Sequence, residues 1–215
     1  KIIDKIDKAL PTVSLSPNGG TKYTMPSTGN AKISTMLRAT DPVATTTNGS
    51  SGVNTLQYAW SQSNTIEPSN WTTITNGQKV SKTDISVAGT WYLWTKVTDH
   101  AGNRASTVKV SNAFIVGSNT NPENTITLTP DKTTWTNTDI TVTASYGANL
   151  TQNKTLICSG TSGTDYTVNG TTNVVVKTNG KTVTATAEDI EGNKITQTKI
   201  IDKIDKALPT VSLSP

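Results

Sequence analysis

The sequence predicts an all-β fold, two antiparallel β-sandwich domains in tandem, on three observations. Threonine accounts for 43 of the 215 residues, and its β-branched side chain suits a pleated, half-solvated surface. Apolar residues recur with period two, the pattern of half-buried strands, and no stretch follows a helical period. Turn dipeptides punctuate the alternation. Asn18-Gly19, Asn48-Gly49, Asn76-Gly77, Asn169-Gly170 and Asn179-Gly180 provide the positive φ that tight turns require. A chain with only 33% apolar and 16% charged residues could instead be disordered; the regular alternation of Val, Ile and Trp argues against that.

In chain order, the first domain opens with a strand at 12–16. The next covers 32–40, with Ile33, Thr35, Leu37 and Ala39 on one face. A third covers 55–62 and turns Leu56, Tyr58 and Trp60 inward. Shorter strands lie near 71–75 and 79–84. A long strand alternates through Trp91, Leu93, Thr95 and Val97, and the last spans 106–116. The second domain has strands near 125–129, 139–145, 154–158, 165–168, 173–177, 182–188 and 194–205. About seven short strands per domain, separated by turns, is the pattern of a two-sheet sandwich.

Two matched segments mark the final hairpins. Val97-Thr98-Asp99-His100-Ala101-Gly102-Asn103 and Ala187-Glu188-Asp189-Ile190-Glu191-Gly192-Asn193 both read small or apolar, any, Asp, any, any, Gly, Asn. Asp bonds backbone amides ahead of it, and Gly-Asn tolerates positive φ. Each segment is therefore the tip joining the last two strands of its domain.

The chain also carries a repeat. Residues 1–17, KIIDKIDKALPTVSLSP, recur without substitution as residues 199–215, an offset of 198 residues. A fixed period is the mark of a repeat architecture. The reading is a long protein of near-identical 198-residue units, each a pair of domains. Residues 1–9 are then the last strand of the preceding unit, 10–118 the first domain, 119–208 the second, and 209–215 the first strand of the next unit. The joints, 117–123 and 206–209 with its earlier copy 8–11, are short and carry Pro, which fixes φ. A semi-rigid rod follows, rather than beads on a flexible string.

The segment Gly89-Thr-Trp-Tyr-Leu-Trp-Thr-Lys-Val-Thr-Asp-His-Ala-Gly-Asn103 resembles the final hairpin of bacterial immunoglobulin-like (Ig-like) domains. So do Leu56-Gln-Tyr-Ala-Trp-Ser61 and the junction phrase Ile204-Asp-Lys-Ala-Leu-Pro-Thr-Val-Ser-Leu-Ser-Pro215. The second domain is similar to another bacterial Ig-like subtype, through Asp131-Lys-Thr-Thr-Trp-Thr-Asn-Thr-Asp-Ile-Thr-Val-Thr-Ala144. The resemblance implies Ig-like sandwiches and an extracellular place in large surface proteins, stalks, adhesins or fibres of bacteria.

Composition narrows the function. The net charge of +4 is spread along the chain, with Arg38 and Arg104 the only arginines; without a basic stripe, no nucleic-acid partner is expected. No segment has the roughly 18 apolar residues of a membrane span, so no membrane insertion is expected in this segment. The single cysteine, Cys158, precludes an intrachain disulfide and reads as a small buried hydrophobe on its strand. His100 is the only histidine, which excludes two-His zinc sites. There is no nucleophile elbow, phosphate loop or dinucleotide fingerprint. Glu188, Asp189 and Glu191 cluster at a turn, where solvation is a better reading than glycoside hydrolysis. No enzymatic activity and no cofactor are expected.

Calcium is the one cofactor the residues could hold. Its weak candidate ligands are Asp99 and Asp189 at the tips, and Asp202 and Asp205 near the joint, set against the plainer reading that they cap turns or pair with Lys203 and Lys206. If Trp91, Leu93 and Val97 face the core, Tyr92 and Trp94 face outward as an apolar interaction patch, unless neighbouring strands or loops cover them.

The expected function is an extracellular structural repeat unit that forms a semi-rigid stalk or filament on a bacterial surface. Its partner is then itself, through adjacent units and other filament chains. The alternative is an adhesin module that binds a cell-surface, host, matrix or glycan ligand through exposed aromatics and loops such as 41–52. Strand exchange between separate chains through residues 1–7 competes with a continuous chain; continuity explains the overlap without a new mechanism.

Overall fold

Period-two burial organises the chain into sheets. The computed structural model describes residues 6–43, 49–105 and 109–212. Among them the structure is all-β, with a single 3-10 turn at Pro122–Asn124 and no α-helix. Two compact units divide the chain. Unit 1 extends to Tyr23 and resumes over Asn30–Gly117; unit 2 takes Thr24–Gly29 and continues from Ser118. The short Thr24–Gly29 piece in unit 2 is invisible in the sequence pattern.

Unit 1 contains β1 (Thr12–Ser16), β2 (Lys22–Thr24, whose last residue is assigned to unit 2), β3 (Ala31–Thr40), β4 (Val53–Ser61), β5 (Thr72–Thr73), β6 (Gln78–Ile85), β7 (Gly89–Asp99), β8 (Lys109–Val110) and β9 (Phe114–Gly117). One sheet runs β1-β3-β6; the other runs β2-β9-β7-β4-β5, with β8 also paired to β7. Alternation on β3 buries Ala31, Ile33, Thr35, Leu37 and Ala39. The other sheet contributes Leu56, Leu93, Val97 and Phe114. Phe114 stacks on Tyr23 at 6.3 Å and meets Trp60 edge-on at 5.1 Å between ring centroids. Burying a side chain of this size is worth roughly 1.5–3 kcal/mol.

Three details depart from the sequence reading. Strand β2 is only three residues long, too short to show a period. The last strand, expected over 106–116, is divided into β8 and β9, and its first residues, 106–108, lie outside the described residues. At the division Ser111 replaces regular pairing: its amide donates to Leu93 O at 2.9 Å, and Leu93 N donates to Ser111 Oγ at 2.8 Å. Finally, β7 is buried on both faces near its middle, where Leu93, Trp94 and Thr95 are all buried.

Unit 2 contains β10 (Ile126–Pro130), β11 (Ile140–Tyr146), β12 (Gln152–Cys158), β13 (Tyr166–Asn169), β14 (Asn173–Val176), β15 (Lys181–Glu188) and β16 (Lys194–Ile201). Its sheets run β10-β11-β14-β13 and β12-β15-β16. In strand letters these are A-B-E-D and C-F-G, the constant-type Ig arrangement. Both sheets feed one core that includes Ile126, Val142, Leu150, Val174, Val183, Ala185 and Ile195. The expected last strand, 194–205, leaves the sheet after Ile201. Three residues later Ile204 forms a parallel bridge to Thr136, which returns its side chain to the core.

Candidate functional site: hairpin tips and the repeated segment

The matched tips fold alike. At the end of β7, Asp99 N donates to Asn103 O at 3.1 Å and Gly102 N to Asp99 O at 3.3 Å. After β15, Asp189 N donates to Asn193 O and Gly192 N to Asp189 O, both at 3.1 Å. Gly102 and Gly192 sit at φ 88° and 83°, where a Cβ is strained. Each carboxylate then ties its own turn. Asp99 accepts Asn103 N at 2.7 Å and Asn103 Nδ2 at 2.8 Å. Asp189 accepts Glu191 N at 2.9 Å, Asn193 N at 3.0 Å and Asn193 Nδ2 at 2.8 Å. A fourth bond to Asp189 comes from Thr24 N at 2.9 Å.

Both aspartates are 0% exposed. The expectation that Asp189 is a solvated turn residue is therefore corrected. A buried carboxylate is tolerated when its lone pairs are filled by donors, and four N–H groups fill them here.

At the first tip two more carboxylates approach. One oxygen each from Asp7, Asp41 and Asp99 lies within 4.8 Å of the others. Asp7 Oδ1 accepts Ala9 N at 2.9 Å, its Oδ2 accepts Ser51 N at 2.7 Å, and its carbonyl accepts Asn103 Nδ2 at 3.1 Å. The Ser51 side chain, then the Ala9 and Ser51 amides, hold the Asp7 carboxyl below the usual range. Asp41 Oδ2 accepts Ser50 Oγ at 2.9 Å and Gly52 N at 2.6 Å, while its Oδ1 is buried without a partner. Oxygen donors alone are the chemistry of a hard cation such as calcium.

Of the four aspartates read as weak calcium candidates, Asp99 is in this cluster. Asp189 is saturated by its turn and the Thr24 amide, and Asp202 and Asp205 are exposed. Asp7 and Asp41 escaped sequence reading because they lie 92 and 58 positions from Asp99. Among the described residues no other three acidic, His or Cys side chains gather in this way.

The expected aromatic patch changes. Trp94 is 6% exposed and donates Nε1–H to Ser63 O at 2.8 Å. The loop after β4 covers it. From the same loop, Glu67 pairs with Lys96 at 2.6 Å, and Lys96 Nζ lies 4.0 Å from the centre of the Trp71 ring. Tyr92 is half-buried. Loop residues 44–48, part of the 41–52 ligand-binding alternative, lie outside the described residues. His100 is exposed, with Nδ1 3.0 Å from Gly52 O. Cys158 is a free, buried thiol whose pKa is raised, chiefly by burial.

The two copies of the repeated segment are used differently. In the first, Ala9, Pro11 and Val13 are buried and Ile6 is 45% exposed. In the second, Ile201 and Ile204 are buried, while Leu208 and Val211 are 86% and 89% exposed. The local turn is nevertheless the same, since Asp205 Oδ1 accepts Ala207 N at 2.9 Å as Asp7 Oδ1 accepts Ala9 N. Residues 1–5 and 213–215 of the two expected flanking strands lie outside the described residues, and the described parts, 6–9 and 209–212, form no strand.

No protein-family model and no curated protein matches the sequence. Among solved structures the chain is similar to the C-terminal 282-residue fragment of intimin in complex with the intimin-binding domain of the translocated intimin receptor, at 14% identity over 89% of this chain and 63% of that one, TM-score 0.37. It is also similar to domains FN1–FN3 of chicken CNTN1, at 8% identity over 92% of this chain and 66% of that one, TM-score 0.34. A third likeness is to the SGBP-B protein of the Bacteroides ovatus mixed-linkage glucan utilization locus in complex with a mixed-linkage heptasaccharide, at 14% identity over 94% of this chain and 49% of that one, TM-score 0.26. The chain thus spans between about half and two thirds of these structures. Its own sheets and cores define it as a pair of Ig-like β-sandwiches.

Proposed function

We propose that the chain is one period of an extracellular structural array, a semi-rigid stalk or filament of a bacterial surface, and that its role is mechanical rather than catalytic. The observation that carries this reading is the complementary use of one repeated sequence. Unit 2 buries Ile201 and Ile204 of the second copy, and unit 1 buries Ala9, Pro11 and Val13 of the first. Ile6, the counterpart of Ile204, is exposed in the first copy, and Ala207, Pro209 and Val211, the counterparts of Ala9, Pro11 and Val13, are exposed in the second. In a continuous array every copy has both neighbours, and all of these residues are covered.

The Thr-rich composition fits an extracellular setting, and the single buried thiol is compatible with it. The adhesin alternative loses one of its expected anchors, because Trp94 is covered by its own domain. Negative-stain imaging of the native protein tests the reading. Thin rods longer than two domains are expected; isolated two-domain particles overturn it.

A further inference from the structure

Deepening the array reading, on which it rests, we infer that the pole of unit 1 around Asp7 is a docking face for the exit end of unit 2 of a preceding copy, pinned by one shared aspartate and sealed by Trp135.

Asp7 and Asp205 are the same residue of the repeated segment. Unit 2 holds Asp205 by its amide, which donates to Thr136 O at 2.9 Å. Unit 1 holds Asp7 by its Oδ2, through Ser51 N, and by its carbonyl, through Asn103 Nδ2. In both copies Oδ1 closes the same local turn. Unit 2 therefore uses one polar atom of the aspartate, unit 1 uses two others, and the turn uses the fourth. No atom is claimed twice, so one residue can satisfy both domains at once.

That compatibility places two loops close together. The atoms bonded to one residue's amide and carbonyl are separated by roughly 10 Å or less, given backbone dimensions and hydrogen-bond lengths. On the unit 2 side the loop is 133–139, which grips the exit segment at three further points. Lys203 Nζ donates to Thr133 O at 3.0 Å, Thr136 N donates to Lys203 O at 3.0 Å, and Lys206 pairs with Asp139 at 2.6 Å. In the middle of this loop Trp135 is 66% exposed. On the unit 1 side, Ile6, Asp7, Ser50, Ser51, His100 and Ala101 line a recess. Ile6 is the residue that unit 2 of the preceding copy would bury, as it buries Ile204 here. The occupant of this face is thus the Trp135 loop of a second copy, delivered by chain continuity.

A chain carrying two periods tests the docking. Acrylamide quenching is measured against the single period, with Trp135→Phe versions isolating the Trp135 signal. In the two-period chain the internal Trp135 is covered, so average Trp135 quenching falls by about half, as expected when an interface core excludes solvent. Asp205→Asn in the first period is expected to restore quenching while both units keep their melting temperatures. Equal quenching of Trp135 in one and two periods overturns the docking face, as does protection that survives Asp205→Asn for the pin. Either result leaves the array reading standing if the native polypeptide contains many periods, so the two failures are distinguishable.

Discussion

Ile204 is 5% exposed and Ile6 is 45% exposed, although the two occupy the same position in the same seventeen-residue sequence. The difference arises from what each copy is attached to. Ile204 follows β16 and returns to the core of unit 2 through its bridge to Thr136. Ile6 precedes β1 in unit 1. Ile204→Ala should destabilise unit 2 by about 2–4 kcal/mol, the cost of a buried large-to-small change. Ile6→Ala should cost less than about 0.5 kcal/mol. Urea unfolding of the two variants measures the contrast.

The second tip should be sensitive to its buried acid. Asp189→Ala removes the acceptor for three amides and the Asn193 side chain. Leaving such donors unsatisfied should cost on the order of 3 kcal/mol. Thermal unfolding of unit 2 is the readout, and an unchanged midpoint would show that water replaces the carboxylate at little cost.

Trp94 and Tyr92 should separate, although they are neighbours in one strand. Trp94→Ala empties a buried site beneath the Ser63 loop and should cost about 3–5 kcal/mol. Tyr92→Ala, at a half-buried position, should cost about 1 kcal/mol. Denaturant midpoints decide. A ligand-binding defect in Trp94→Ala therefore cannot be assigned to a surface contact until stability is measured.

Acid should weaken unit 2 through Asp165. The Thr161 amide, the Thr178 hydroxyl and the Lys181 ammonium hold its pKa at about 2, below the ordinary aspartate range. A depressed folded-state pKa gives stability that is present above the unfolded value and lost as pH falls through the folded one. The stability difference between the parent and Asp165→Asn should be full above pH 4 and should shrink as pH approaches 2. A difference independent of pH over that window would contradict the assignment.

Much of this fold is legible because half-buried strands write themselves in alternation. The β3 pattern Ile33, Thr35, Leu37, Ala39 is buried as read, and the Asp-x-x-Gly-Asn motif marks both tips. Legibility fails where burial depends on distant sequence. Trp94 looks outward by period, but a loop more than twenty residues earlier in the chain covers it. Asp189 looks solvated beside Glu188 and Glu191, yet part of its environment comes from Thr24, 165 residues away. The Asp7, Asp41 and Asp99 cluster joins three segments with no shared local motif.

Mass under denaturing conditions tests the central claim most directly. Native material run on denaturing electrophoresis should yield a polypeptide many times larger than the 22.8 kDa of this chain, and limited proteolysis should cut it into a ladder spaced by one 198-residue period. A native polypeptide of a single period would contradict the array.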